Sequence, residues 1–391
     1  MAGPALHVLA LNSGSSSLKF GLYRVDRRDA VARLCGEAEA IGHSAGVLRL
    51  RDADGTVIHQ ETAAVADGVQ AFRRIVRLLR EARVPAPDAV GHRIVHGGPQ
   101  LRTHAVIDGT VLARLEAACA FAPLHVPAAL AVVHAAQARF ADLPHVACLD
   151  TAFHADLPEV SRVLPLDRAL QADGVYRYGF HGLSCASILA SWPDAPARLV
   201  IAHLGSGASV TAVCDGRSVD TSMGMTPSGG VMMATRCGDV DPGVLAWLAR
   251  EKGMDAPALE RLVDHRSGLL GVSGISGDLR RLREAARTEP AARLAVAMFV
   301  LSVRKQIAAM AAVLCGMDAL VFTGGIGEHD AALREAVCAG LAWAGVRPGP
   351  GAAPADAPPA AGAHCQVRII PTQEERQISR HVYALVAGPA R

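Results

Sequence analysis

Two stretches about half a chain apart decide the fold: Val8–Asp26, VLALNSGSSSLKFGLYRVD, and Leu199–Gly216, LVIAHLGSGASVTAVCDG. Each is an aliphatic run, a loop of glycine and serine, a second strand-like run and a turn, the pattern of a β-hairpin. Neither loop opens a helix, so neither is a Walker A loop or a dinucleotide fingerprint. Such a loop exposes backbone N–H groups and hydroxyls with little bulk and can wrap phosphate oxygens, and Lys19 adds a positive charge to the first. The plainer reading of one loop alone is a tight hairpin that needs small residues. Two in matching positions favour phosphate and predict two similar domains with a ligand between their loops.

Working outward, the apolar runs His145–Leu149, Ala319–Phe322 and Val367–Ile370 alternate with stretches of helical period at 66–82, 128–141, 243–252, 290–314 and 330–343. Strands alternating with helices predict an α/β protein with partly parallel sheets. The Pro/Ala/Gly-rich segment 348–363 reads as a surface loop. With 391 residues, 51% hydrophobic, 19% charged and a net charge of +2, the chain is long enough for two cores and carries no basic stripe for nucleic acid. Its nine cysteines are odd in number, widely spaced and never form C-x-x-C, which suggests neither a disulfide framework nor a zinc site and fits a reducing compartment. The N-terminus lacks a signal-peptide pattern, and the apolar stretch 290–314 is interrupted by Arg293, Arg304 and Lys305, so the expectation is a cytoplasmic protein with no membrane partner. Arginine outnumbers lysine 36 to 3 and Asn12 is the only asparagine, so Asn12 and Lys19, seven positions apart, stand out.

Further motifs carry chemistry. Thr323–Glu328, TGGIGE, follows a strand and precedes a helix expected from about Asp330, and its glycines permit close backbone approach of a planar or phosphorylated ligand. Asp278-Leu279-Arg280 could meet a ribose and a base or be solvated surface. In Met233–Pro242, Asp241 is a helix N-cap and Pro242 a first-turn proline, which leaves Arg236 as an arginine aimed at a transferring phosphoryl group or as a surface ion pair. The clusters GHRIVHGG, LDTAFH and YGFHG supply Arg93 for a carboxylate, Asp150 as an acid, and His181 in an apolar setting.

LNSGSSSLKF, GHRIVHGG, APLH, DTAFH, YGFHG, HLGSGAS, DTSMGMTP, TRCGDVDP, DLR, FTGGIGE and PTQEE follow one another from about residue 8 to 376. In order and spacing this set resembles the acetate and propionate kinase family. The resemblance implies two duplicated actin-like (ribonuclease H-like) ATPase domains with a nucleotide cleft between them. It implies an N-terminal domain of 1–150 plus 375–391 on the acetate and phosphate side. A C-terminal nucleotide domain of 151–374 would include the loop 348–363. The implied activity is reversible, Mg2+-dependent phosphoryl transfer between ATP and acetate, giving acetyl phosphate and ADP, in a homodimer.

Carried over residue by residue, the resemblance puts Asn12 and Glu374 at Mg2+, and Ser15, Ser17 and Lys19 near the phosphates. Arg93 would bind the acetate carboxylate, with Val95, Leu124, Phe180 and Pro227 around the methyl group. His181 and Arg236 would touch the transferring phosphoryl group, and Asp150 would stand near the substrate carboxyl. His203, Leu204, Gly205, Ser206 and Gly207, then Asp278, Leu279 and Arg280, and Gly324, Gly325, Ile326, Gly327 and Glu328 would form the nucleotide site. An acetic-acid-like acceptor is already ionised at neutral pH, so Asp150 is expected to orient Arg93 or the metal ligands and not to abstract a proton.

The chain departs from the family pattern at Val126, Leu183, Cys185, Ser206, Ser228, Gly229 and His329. Leu183 and Cys185 replace polar residues that would neighbour His181. A rival reading is a propionate or other short-chain acyl kinase, against which the bulk of Val95 argues. An ATP-gated, non-catalytic protein of the same fold would have no use for Arg93, His181 and Arg236.

Overall fold

The computed structural model describes residues 4–14, 16–346 and 364–388; Ser15 and the expected loop 348–363 lie outside them. Two compact units emerge: Met1–Ala155 with Gly182–Ser187 and Gln373–Arg391, and Asp156–His181 with Ile188–Thr372. The expected division left 182–187 in the second domain. Those residues join the first because Gly182 N donates to Asp150 O at 2.9 Å, Leu183 packs with Val8, Val146 and Ile378, and Gln373 N donates to Ser187 Oγ at 3.1 Å.

The first unit holds an eight-stranded sheet built from β1 (Leu6–Ser13), β2 (Leu18–Val25), β3 (Ala30–Glu39), β4 (Gly46–Asp52), β5 (Val57–Ala63), β6 (Ala89–Ile94), β7 (Ala105–Val106) and β8 (His145–Leu149), in the order β5-β4-β3-β2-β1-β6-β8-β7. The second unit holds β9 (Arg198–Leu204), β10 (Ala208–Cys214), β11 (Arg217–Thr221), β12 (Ala319–Thr323) and β13 (Gln366–Ile369), ordered β11-β10-β9-β12-β13. Both expected hairpins, β1–β2 and β9–β10, are present. The order β3-β2-β1-β6-β8 repeats strand for strand as β11-β10-β9-β12-β13, with three antiparallel strands followed by two parallel ones. The fold is thus α/β and duplicated.

Packing follows the aliphatic composition. The helix Gly68–Glu81, capped by Asp67, buries Phe72, Ile75, Val76 and Leu79 at helical spacing. The closing helix Glu374–Val386 lays Ile378 and Val382 on Val8 and Ala10 of β1. Gly91 makes room for it, since a Cβ there would lie 2.5 Å from Ile378 Cγ2 and 2.6 Å from Val382 Cγ2. Among the described residues the helix Pro290–Val313 alone is long and apolar enough to cross a membrane. It packs on β9 and β10, burying Ala292, Ala295, Phe299, Val303 and Ile307, and is therefore a core helix of the second unit.

Two histidine pairs are closed inside the first unit. His92 Nε2 and His145 Nδ1 lie 3.0 Å apart with stacked rings, and His145 Nε2 meets the Phe140 carbonyl at 3.1 Å. His104, whose Nδ1 accepts from Leu149 N, lies 3.9 Å from the His381 ring. Burial, aided by His145, pushes His92 down to about 3; burial takes His104 to about 4; burial, His104 and Arg380 push His381 to about 3.

A ring kept neutral by the fold stabilises it fully above the ordinary histidine pKa near 6.5 and progressively less as pH falls toward the folded value. Burial lowers His145 as well, and the acids that burial raises, Asp150, Asp220 and Glu375, oppose this trend but are fewer than the four rings. The urea midpoint should therefore drop between pH 7 and pH 5, each neutral ring contributing about 2 kcal/mol; a midpoint that stays level would remove this account.

Candidate active site

Parallel strands β6 and β8 bring Arg93 opposite Cys148 and Ile94 opposite Leu149, so Arg93 and Asp150 reach the same end of the sheet. Arg93 Nε and Nη2 both donate to Asp150 Oδ2, at 2.9 and 2.6 Å, and Nη1 donates to the Ser13 carbonyl at 3.0 Å. One N–H on each of Nη1 and Nη2 remains, a fork that matches a carboxylate. Asp150 is 1% exposed, and among the described residues its Oδ1 has no hydrogen-bond partner. Burial lifts the Asp150 carboxyl to about 6 against the opposing pull of Arg93. Burial alone would lower the Arg93 pKa, but Asp150, Glu374 and Glu375 outweigh it and keep the guanidinium charged.

Asn12 and Lys19 are register partners across β1 and β2. Asn12 Nδ2 donates to Glu374 Oε2 at 2.8 Å and to Glu375 Oε1 at 2.7 Å, which ties the closing helix to the hairpin. Sequence reasoning missed Glu375; the adjacent glutamates of PTQEE were the available signal. Burial and the Glu374 charge raise the Glu375 pKa, while Lys19 and Asn12 lower it. Ser17 closes the loop turn, its carbonyl accepting from Gly14 N at 2.8 Å. Val95 is buried just after β6, and Leu124 is exposed in the turn before the helix Val126–Arg139.

In the second unit His181 takes a left-handed conformation with φ 57° at the start of the helix Gly182–Ser191. Its Nδ1 lies 2.9 Å from Ser209 Oγ, and its ring stacks on His203 at 4.1 Å. A Cβ on Gly207 would lie 3.3 Å from Arg236 Nη1 and 3.4 Å from His181 Nε2, so these two donors converge on the HLGSG loop. Arg236 Nη1 also donates to the Pro227 carbonyl at 3.3 Å, and Phe180 is buried.

The glycine run at the end of β12 differs from expectation. Gly324–His329 is itself a short helix, and Asp330 then caps a second one, Ala331–Ala339. Gly324, at φ 77°, abuts the HLGSG loop: a Cβ would come 2.8 Å from the Leu204 carbonyl oxygen. Glu328 Oε1 accepts from Gly324 N at 2.9 Å and Thr372 N at 3.1 Å, so its carboxylate ties this loop to the segment that leads into the closing helix. Asp278 caps the helix Leu279–Ala285, Leu279 is buried, and Arg280 folds back on Asp278 at 2.8 Å. Asp241 caps Pro242–Lys252 as expected.

The departures have local explanations. Leu183 and Cys185 are each 1% exposed and belong to the packed interior. Ser228 Oγ donates to Asp264 and Thr235 Oγ1 to the Asp264 carbonyl, anchoring the Arg236 loop to the helix Ala256–His265. A cavity of about 590 Å³ lies there, lined in part by Ser228, Gly229, Cys237, Leu245, Val263 and Asp264.

The profile of the acetokinase family matches residues 7–380. This chain belongs to the acetokinase family. Among its relatives, the acetate kinase of Rhodopseudomonas palustris strain CGA009 is 40% identical, the match covering 97% of this chain and 98% of that one. The acetate kinase of Heliobacterium modesticaldum is also 40% identical, with 97% and 100% covered. Of solved structures, the Porphyromonas gingivalis acetate kinase superposes with a TM-score of 0.81 at 33% identity, covering 97% and 99%. The Francisella tularensis propionate kinase gives 0.86 at 31%, again covering 97% and 99%. The fold is the actin-like, two-domain fold of these acetokinase-family enzymes, and the chain is a phosphotransferase with a carboxyl acceptor.

Because Glu328 satisfies two backbone donors, Glu328→Ala should destabilise this acetokinase-family chain by about 1–3 kcal/mol in denaturant unfolding. Unchanged stability would return Glu328 to the role of a nucleotide contact alone.

Proposed function

We propose that this chain reversibly transfers the γ-phosphoryl group of ATP to acetate, giving acetyl phosphate and ADP, with Mg2+ as its metal. The observation that carries the reading is the Arg93 guanidinium, clamped through one edge on Asp150 and keeping one N–H on each of Nη1 and Nη2 for an incoming carboxylate. The acceptor needs no base, because a carboxylic acid of ordinary pKa is ionised at neutral pH. What the reaction needs is two anions held in line with their repulsion offset.

Arg93 holds the acceptor, and Asp150 fixes the guanidinium. Val95, Leu124, Phe180 and Pro227 keep water from the methyl group. His181 Nε2 and Arg236 Nη1 donate to oxygens of the transferring group, supported by their convergence at Gly207. The segment His203–Gly207 and the short helix residues Gly324–Glu328, at the ends of the adjacent parallel strands β9 and β12, hold the nucleotide together with Asp278, Leu279 and Arg280. Ser17 and Lys19 lie on the phosphate side.

The residues present fit Mg2+. Asp150 Oδ1 is buried without a partner, Glu374 supplies a carboxylate, and Asn12, with its nitrogen turned onto two carboxylates, presents a carbonyl oxygen. When bound, Mg2+ supplies positive charge to the phosphate oxygens. The same reading makes the protein a cytoplasmic homodimer. Its nine free thiols suit a reducing compartment, and Leu294, Met298 and Leu301 form an exposed apolar stripe on one helix that suits a second copy.

A slightly longer acyl acceptor is the second reading, favoured by the likeness to a propionate kinase and opposed by the buried bulk of Val95. Comparing kcat/KM for two- to four-carbon acids decides between them.

With MgATP and acetate the protein should form an acyl phosphate that hydroxylamine traps, and chelating the metal should abolish it; no product in either direction would refute the reading. Arg93→Ala should raise the acetate KM by about tenfold or more and leave the ATP KM near its original value. Because burial raises the Asp150 carboxyl to about 6, acetate binding to the enzyme free of metal and nucleotide should weaken as pH drops through that value and Asp150 loses its charge. Asp150→Asn should bind acetate weakly at every pH and lack this acid limb.

A further inference from the structure

One hairpin holds the His181 ring from two sides. Ser209 and His203 are register partners across β10 and β9, so their side chains leave the sheet on the same face. The His203 ring stacks on His181 at 4.1 Å with 19° between planes, and Ser209 Oγ stands 2.9 Å from Nδ1. Ser209 is 1% exposed, and among the described residues its hydroxyl meets no partner other than that nitrogen.

This isolation fixes the direction of the hydrogen bond. A serine hydroxyl carries one proton, and a buried proton must be given to an acceptor. If Nδ1 carried the imidazole hydrogen, Ser209 Oγ would accept it and strand its own proton out of reach of water. The hydroxyl therefore donates to Nδ1, and the ring hydrogen sits on Nε2. Nε2 is the atom beside Gly207 and Arg236 Nη1, where a Cβ on Gly207 would come within 3.4 and 3.3 Å of the two nitrogens.

We infer that Ser209 is a positioning residue for phosphoryl transfer: it locks His181 in the neutral, Nε2-protonated tautomer, so that His181 and Arg236 both present N–H groups beside Gly207. The inference rests on the reading that His181 touches the transferring group.

Histidine-side-chain 15N spectra of the full-length wild-type protein test the tautomer directly, His181 being assigned by its disappearance in His181→Gln. Nε2 should show a protonated signature and Nδ1 an unprotonated one; the reverse assignment overturns the inference without any need for a Ser209 variant. Ser209→Ala should give a mixed tautomer and lower kcat by about tenfold, as expected for a misaligned donor, with both KM values within about twofold. Ser209→Thr keeps the hydroxyl and should restore kcat.

A Ser209→Ala enzyme with unchanged kcat and spectrum, or a loss that threonine does not restore, would sink the role of Ser209. His181→Ala separates the two claims. If it retains full kcat, the reading of His181 falls, and the inference with it. If it loses kcat while Ser209→Ala does not, only the inference falls.

Discussion

The buried ion pair between Arg93 and Asp150 is the interaction around which the polar end of the first unit's sheet is arranged. A carboxylate that is 1% exposed is costly unless it is paired, and Arg93 pairs it through two donors on a single oxygen. That geometry leaves two things over: an unpartnered carboxylate oxygen on Asp150 and two unspent N–H groups on Arg93. Both are poor for stability and useful for binding. In chemical terms a cation suits the oxygen and an anion suits the fork.

The sheets explain why these groups stand where they do. In each unit a hairpin is followed by two parallel strands, and parallel strands place their C-terminal ends together. In the first unit those ends deliver Asn12, Arg93 and Asp150; in the second they deliver His203 and the start of the short helix Gly324–His329. Duplication thus gives each unit a polar edge of the same construction. Arginine and carboxylates dominate the first edge, and histidine with glycine-rich backbone the second.

The changed residues around His181 and Arg236 show how such an edge is kept in order. Leu183 and Cys185 are buried in the core, while Ser209 and His203 hold the His181 ring from the β9–β10 hairpin. Ser228 does similar work for the Arg236 loop by anchoring on Asp264. In both cases a polar tie comes from a segment other than the one that carries the working residue.

Local sequence was enough to determine the α/β class, the two hairpins, the cap at Asp241 and the family, because short-range pattern and turn chemistry act within a few residues. It singled out Arg93, Asp150, His181 and Arg236 as residue types suited to the chemistry. It did not reveal that Glu375 shares Asn12 with Glu374, that Gly182–Ser187 packs in the first unit, or that Gly324–His329 is a helix. Nor did it show that Glu328 spends its carboxylate on backbone N–H groups. Most of these depend on partners distant in the chain: Asn12 is 363 residues from Glu375, and Thr372 is 44 from Glu328. Such contacts are chosen by which surfaces the sheets bring together, so the residue types belong to the sequence, and their pairing belongs to the tertiary fold alone.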